Sequence, residues 1–271
     1  MVKIAQVSDT HLSHRRAYAV ANVAAVIDAI TAAGVDFVVH TGDVVADDPD
    51  DEDERAFAFR TLATSLPTPF AVLAGNHDTG GFSGDRWTPE RNDAFCRCWG
   101  TDTFVADLGA WRLVGANVYR LGQAGHDEWL AASCAVDRPI ALFLHQPVFL
   151  RAPDLPDDGD WSLPMPLRRH LDRAIGEAPV RLIAAGHLHR YLTPAPGHVV
   201  CPSAGFLGAP TDDGSQQVIG FVTYDLRDDG TFRHDLVVPP GVEPLRFADF
   251  AGPDAHSMRD APLLPVGGRP S

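Results

Sequence analysis

Lysine is almost missing from this chain: Lys3 is the single example in 271 residues, and 22 basic side chains face 36 acidic ones for a net charge of −14. A protein that tracks nucleic acid needs clustered Lys and Arg to neutralise phosphates, so nucleic acid is disfavoured as a partner. The chain also has no polybasic tail for anionic lipid. Long apolar runs are missing too. Nothing reaches membrane-spanning length, and Met1 to Val7 enters a strand-like run with no signal-peptide hydrophobic region. The expected compartment is the cytoplasm, with no membrane partner. Cysteine is scarce. Cys96, Cys98, Cys134 and Cys201 show no zinc-finger spacing and are expected to be reduced thiols, with Cys96 and Cys98 facing different directions on one helix.

What the chain does contain is an ordered series of metal-type side chains. Asp9-Thr10-His11, Gly42-Asp43, Gly75-Asn76-His77-Asp78, His145 and Gly186-His187-Leu188-His189 each follow directly on an apolar run. Those runs are Ile4 to Val7, Val35 to Val39, Phe70 to Ala74, Ile140 to Leu144 and Arg181 to Ala185. Short apolar runs bounded by Gly and polar residues read as buried strands, and chemistry collects in the loops at their ends. The clusters would therefore gather along one sheet edge. Carboxylates, imidazoles and one amide, without thiolate, suit divalent Mn, Fe, Zn or Co. Seven such ligands are too many for one ion but suit a pair sharing a carboxylate. Two ions about 3.5–4 Å apart can clamp the attacking and leaving oxygens of a displacement at phosphorus.

With these residues in view, the sequence resembles the calcineurin-like metallophosphoesterases, whose pattern runs D-x-H, G-D, G-N-H-[DE], H, G-H-x-H. The match spans Ile4 to about Tyr191. The resemblance implies a four-layer α/β/β/α sandwich of two mixed sheets flanked by helices, with a dinuclear site at the strand ends. It places one metal on Asp9, His11, Asp43 and His189. The second falls on Asp43, Asn76, His145 and His187, with Asp43 bridging. It gives His77 the role of contacting the phosphate and protonating the leaving oxygen, and Asp78 the role of orienting that imidazole. The chemistery such a site performs is attack by a metal-activated hydroxide, with an imidazole of ordinary pKa about 6.5 as proton donor. A plainer reading of Asp78 is a turn residue capping the following loop.

Departures from the pattern narrow the subgroup. Many cyclic-nucleotide phosphodiesterases of this superfamily carry His-His-Pro at the fourth cluster, where this chain has His145-Gln146-Pro147. His77 argues against the lipid A pathway hydrolases, which have Arg there. Asp78 stands where protein phosphatases usually have Glu.

Strand–helix alternation predicts an α/β organisation. Helices are expected over Ala17–Ala33 (closed by Gly34), Glu52–Ser65 (stopped by Pro67 and Pro69), Gly125–Cys134 and Pro164–Ala178. Arg168, Arg169 and Arg173 of the last are expected on a solvated face. Thr79 to Pro89 reads as a loop over the site. Phe104–Asp107 and Trp111–Ala116 read as strands joined at Gly109, while Val199–Cys201, Val218–Tyr224 and Thr231–Val238 are expected to complete the second sheet. With 45% hydrophobic content, the chain can bury one substantial core or two small ones. Residues 1–238 form the expected catalytic unit, and 239–271 a Pro/Gly-rich tail or arm; self-association through it stays open.

Two acidic runs bear on substrate choice. Residues 47–54 either solvate a helix N-terminus or rim the pocket, and Asp154, Asp157, Asp158 and Asp160, which follow the His145 loop, could rim it as well. Such a rim would favour small diesters over polyanions. Phe82, Trp87, Trp161 and Tyr191 either stack a base or quaternary ammonium, or pack their loops. The leading expectation is a phosphodiesterase acting on a small phosphoester of cyclic-nucleotide or glycerophosphodiester type. The alternative is a phosphomonoesterase using the same site, and a non-catalytic metal-binding scaffold comes third.

Overall fold

Eleven strands in two mixed sheets carry the described part of the chain. The structure, a computed structural model, describes residues 1–15, 18–46, 48–66, 69–80, 86–156 and 161–246. The strands are β1 (Val2–Val7), β2 (Phe37–His40), β3 (Phe70–Val72), β4 (Phe104–Leu108), β5 (Trp111–Gly115), β6 (Ile140–Phe143), β7 (Val180–Ala185), β8 (Leu192–Ala195), β9 (His198–Val200), β10 (Phe221–Leu226) and β11 (Phe232–Val237). The first sheet has the order β11-β10-β1-β2-β3 and the second β4-β5-β6-β7-β9-β8. The pairs β1–β2, β2–β3, β5–β6, β6–β7 and β7–β9 are parallel, and β1–β10, β10–β11, β4–β5 and β8–β9 antiparallel.

Period-2 alternation divides the central strands between two cores. In β6 and the residue after it, Ile140, Leu142 and Leu144 pack to one side, whereas Ala141 and Phe143 pack to the other. The middle core, with Ile4, Val39, Trp111, Phe143, Leu182 and Tyr224, lies between the sheets. A second core joins the first sheet to helices α1 (Tyr18–Ala33) and α2 (Glu52–Ser65). After β3 in chain order come the short α3 (Asn76–Thr79) and α4 (Pro89–Trp99). A third core joins the second sheet to α5 (Ala124–Cys134) and α6 (Met165–Ile175). Three cores between four layers are the α/β/β/α sandwich that the resemblance implied.

Helix ends follow local chemistry. The Asp51 carboxylate caps α2 by accepting from Asp53 N (2.9 Å) and Glu54 N (3.1 Å), and Glu52, Asp53 and Glu54 fill the first turn. Arg15 pairs with Asp51 and Arg91 with Asp50, each at 2.6 Å. The described part of the first acidic run therefore serves a helix terminus. Asp47 lies outside the described residues, as do Asp157, Asp158 and Asp160 of the second run.

Two expectations are corrected. The strands Phe221–Leu226 and Phe232–Val237 belong to the first sheet, because β10 pairs with β1 (Ile4 opposite Tyr224) and is buried on both faces. Without that pairing β1 would be an edge with unsatisfied backbone groups. Arg168 is buried, not solvated. Its guanidinium donates to the carbonyls of Leu163 (2.7 Å), Leu155 (2.8 Å) and Pro153 (3.2 Å) and to Ser162 Oγ (3.1 Å). Arg169 and Arg173 are exposed as expected.

The first residues of the Pro/Gly-rich segment return to the fold. Asn22 Nδ2 donates to Glu243 O (3.0 Å), Glu243 N to Asn22 Oδ1 (2.8 Å) and Leu207 N to Leu245 O (2.7 Å). Residues 247–271 lie outside the described residues. No helix among the described residues is long and apolar enough to cross a membrane.

Candidate metal centre

Each cluster leaves the C-terminal end of a parallel strand: Asp9 and His11 after β1, Asp43 after β2, Asn76 to Asp78 after β3, His145 after β6, and His187 and His189 after β7. Turning the chain so sharply requires unusual backbone. Among the described non-glycine residues, positive φ occurs at Asp9 (53°), His11 (43°), Asp43 (55°), His187 (71°) and His189 (53°), all of them candidate ligands. Asp and His tolerate this region better than most residues, yet it remains strained. The glycines beside them allow close approach. A Cβ on Gly75 would overlap Asp43 Oδ1, and one on Gly42 (φ 105°) would lie 2.6 Å from His145 Nδ1.

The side chains converge in two groups. Ligand atoms of Asp9, His11, Asp43 and His189 lie within 4.8 Å of one another, as do those of Asp43, His145 and His187. Asp43 belongs to both, and Asn76 Oδ1 stands 3.0 Å from His145 Nε2. His11 Nε2 faces His189 Nε2 at 3.0 Å, and His187 Nδ1 faces His145 Nε2 at 3.2 Å. Asp9 Oδ1 is buried without a hydrogen-bond partner. Buried acceptors aimed at one another and an orphaned carboxylate oxygen are what cations satisfy, so the donor set fits two divalent ions.

Backbone groups aim these side chains. Nδ1 of His145 donates to Thr41 O (2.8 Å) and Nδ1 of His189 to Phe206 O (3.1 Å), leaving each Nε2 for the cluster. His187 N donates to Asp9 Oδ2 (2.9 Å) and His77 N to Asp43 Oδ1 (2.8 Å). Burial opposes ionisation of both carboxylates. The surrounding imidazoles outweigh it, His189 first at Asp9 and His145 first at Asp43, and hold both below the usual carboxylate range. Burial likewise opposes a charged His145, but Asp43 and then Asp9 push its pKa up to about 9. His11 moves the other way, well down, through burial and the neighbouring His77 and His189.

Asp78 does not orient His77. Its carboxylate accepts from the backbone N–H groups of Gly75 (2.8 Å), Val44 (3.0 Å) and Val45 (3.1 Å), tying the third loop to the second. Burial and the Asp43 charge push its pKa up to about 7 against those hydrogen bonds. The partner that orients His77 is Ala46 O, 2.6 Å from Nδ1. The half-buried His77 ring stands edge-on to His11, with centroids 4.6 Å apart. These hydrogen bonds run to the preceding Gly75 and to the second loop, so they do not follow the plainer reading of Asp78 as a cap on the following loop either.

Several residues at the site carried no motif. Gln6 is fully buried beneath it, donating to Thr41 Oγ1 (3.0 Å) and Ala185 O (2.9 Å) and accepting from Tyr224 Oη (2.7 Å). One amide inside an otherwise apolar run was the available signal. His40 accepts from Gly42 N (3.1 Å) and reaches Thr10 Oγ1 (3.0 Å). Ser203 Oγ donates to Asp9 O (2.7 Å), and the Phe206 ring packs on His11 and His189. Tyr119, half-buried on a 3₁₀ turn (Val118–Arg120), donates to Asn76 Oδ1 at 3.5 Å. Of the loop aromatics singled out, Trp161 reaches the site, 6.1 Å from the His187 ring, whereas Tyr191 binds His234 Nε2 (2.9 Å) away from it. Trp87 is half-buried; Phe82 and the central part of the 79–89 loop lie outside the described residues.

Fold and site together set a candidate dinuclear metal centre at the strand ends of an α/β/β/α sandwich. The chain belongs to the calcineurin-like phosphoesterases, whose family description it matches over residues 2–191, and these enzymes use two divalent metal ions. It is 33% identical over 135 residues to the serine/threonine-protein phosphatase CPPED1 of Danio rerio, covering 45% of this chain and 42% of that one. The chain thus spans less than half the length of the curated relatives it matches. Among solved structures, the purple acid phosphatase PPD1 from yellow lupin (Lupinus luteus) seeds superposes with a TM-score of 0.62 at 14% identity, covering 93% of this chain and 55% of that one. A dimetal phosphatase from Danio rerio gives 0.58 at 14% identity, with 89% and 97% covered. These two likenesses concern the fold.

Proposed function

We propose that this protein is a dinuclear-metal phosphodiesterase acting on small phosphodiesters of cyclic-nucleotide or glycerophosphodiester type. The observation that carries the reading is Asp43, shared between two ligand groups, with the half-buried imidazole of His77 edge-on to His11. Asp9, His11, Asp43 and His189 would hold one cation, and Asp43, Asn76, His145 and His187 the other. Bound there, such ions supply a hydroxide near neutral pH and neutralise charge developing on phosphorus oxygens. His77 keeps its Nδ1 proton on Ala46 O. Its Nε2 is then the atom that gives a proton to the leaving oxygen as the P–O bond breaks.

Preference for a diester rests on charge. A phosphomonoester dianion carries one more negative charge than a diester and gains from an extra cation. The arginines on or beside the site loops are committed elsewhere: Arg15 to Asp51 (2.6 Å), Arg190 to Asp213 (3.0 Å), Arg120 to Asp102 (3.0 Å) and Arg246 to Gly208 O (3.1 Å). The second reading, a phosphomonoesterase, is favoured by the phosphatase name of the curated relatives, which also weighs against the inference drawn from Asp78.

The test is hydrolysis of bis(p-nitrophenyl) phosphate and p-nitrophenyl phosphate by metal-stripped, Mn-reloaded protein beside a His77→Ala variant. Diester turnover should dominate and fall roughly 10²–10⁴-fold without His77. Monoester preference would transfer the assignment to the second reading, and turnover indifferent to His77 would remove its acid role.

A further inference from the structure

Three of the four side chains in the first ligand group, Asp9, His11 and His189, are held by a loop that lies beyond residues 2–191, the stretch matched by the family description. All three sit at positive φ (53°, 43° and 53°) and need outside support. The loop, residues 203–208, follows β9. Ser203 Oγ donates to Asp9 O (2.7 Å), Ala204 N to Ser8 O (2.9 Å) and Gly205 N to Asp9 O (3.3 Å). The approach is close: a Cβ on Gly205 would lie 2.8 Å from Thr10 O. Phe206 O accepts from His189 Nδ1 (3.1 Å), and the Phe206 ring packs on His11 and His189 with centroids 4.8 Å and 4.6 Å away. Among the described residues, those three are the ligands this loop hydrogen-bonds or stacks on. His145 is oriented from elsewhere, by Thr41 O (2.8 Å).

The loop is clamped in its turn. Asn22, on α1 and 2% exposed, donates through Nδ2 to Gly205 O (2.9 Å) and Glu243 O (3.0 Å) and accepts at Oδ1 from Glu243 N (2.8 Å). One buried amide thus takes both backbone groups of Glu243 and one carbonyl of the loop. Leu207 N donates to Leu245 O (2.7 Å), Arg246 Nη1 to Gly208 O (3.1 Å), and Val242 packs against the core that holds Ala204 and Leu207. A satisfied buried polar network fixes the relative place of the segments it joins more sharply than apolar packing does.

We propose that Asn22 is a positioning residue for one metal of the pair: it clamps the return segment 242–246 onto loop 203–208, and the clamped loop aims His189 and supports the Asp9–His11 turn. The segment that follows the last strand is thereby a working part of the centre, and it acts on one cation and not on the other. This rests on the assignment of Asp9, His11, Asp43 and His189 to a single cation. Partners that orient ligands in this way typically account for 10–100-fold in metal affinity.

The test is calorimetric titration of Mn into the metal-stripped full chain, with His189→Ala and His187→Ala marking which binding event belongs to which group. Asn22→Leu should weaken the event that His189→Ala removes by roughly 10–100-fold and change the other far less. Because Asn22→Leu strips partners from buried carbonyls, a second variant works from the exposed side: Glu243→Pro deletes only the N–H that Asn22 Oδ1 accepts. It should weaken the same event by a smaller factor. Equal weakening of both events, or no change in either, in a variant that keeps the wild-type circular dichroism would overturn the clamp and leave the ligand assignment standing. A wild type that binds fewer than two ions would overturn both.

Discussion

Strain at single residues is concentrated where the ligands are. Five candidate ligands occupy positive φ, at a cost of order 1–3 kcal/mol each that the surrounding fold must offset. The offset is visible in the backbone hydrogen bonds that hold Asp9 and Asp43 (His187 N and His77 N) and in the tight contact at Gly75. A Gly75→Ala substitution would place a methyl group against Asp43 Oδ1, the one carboxylate common to both groups. The expected outcome is loss of metal binding by at least 10–100-fold, the range seen when the surroundings of a ligand are disturbed. The fold should survive with a penalty of ~1–3 kcal/mol, the usual scale of overpacking. Metal content by elemental analysis, beside urea unfolding, checks both. Two bound ions in the variant would show that Asp43 can move without cost.

At the scale of elements, the two sheets meet through a polar stitch as well as an apolar core. Gln6 on β1 joins Thr41 after β2, Ala185 at the end of β7 and Tyr224 on β10, and so fixes the spacing of the sheets just beneath the ligands. Replacing Gln6 by Leu leaves the Tyr224 hydroxyl buried without its acceptor, whereas Ala185 O keeps Cys201 N (2.7 Å), and one such unsatisfied group costs roughly 1–3 kcal/mol. We expect Gln6→Leu to lower unfolding free energy by about 2 kcal/mol in urea denaturation, more than a surface substitution of similar size. A loss under about 0.5 kcal/mol would mean that the sheets can shift and the hydroxyl finds another partner. Elements of strong local pattern were legible in advance: α1 and α2 and the five strands ahead of the ligand loops follow from apolar period and from Gly34, Pro67 and Pro69 past the helix ends. The place of β10 and β11 was not, because period-2 burial says that a strand has two faces without saying which sheet it joins. Arg168 shows the same limit. A charge on an amphipathic helix reads as solvated, and only the fold brings the carbonyls of residues 153–155 over it.

The whole molecule is strongly acidic, yet one of its pH responses comes from a buried base. His40 is fully buried, and burial pushes its pKa down to about 4. Its Nδ1 accepts from Gly42 N, as a neutral ring requires. The unfolded chain keeps an ordinary histidine near pKa 6.5, so between these values it binds more protons than the folded chain. The contribution is complete above about pH 6.5 and is lost as pH falls toward 4, by up to ~3 kcal/mol. His40→Asn retains an acceptor for Gly42 N but cannot titrate. In chelator, the stability advantage of wild type over this variant should shrink by ~2–3 kcal/mol between pH 7 and pH 4. An advantage independent of pH would show that His40 does not carry the window.

The motif residues by themselves determined the chemistry: which side chains could bind cations, in what order they occur, and that each sits where an apolar strand ends. Those signals are local, a few residues long, and survive without knowledge of the rest. The tertiary structure decided the relations among them. It made Asp43 common to two groups, turned Asp78 toward backbone amides instead of His77, and brought Tyr119 beside His145 and Trp161 beside His187. Such relations depend on strands and loops far apart in the chain meeting at a set register, and that register is settled by packing across three cores.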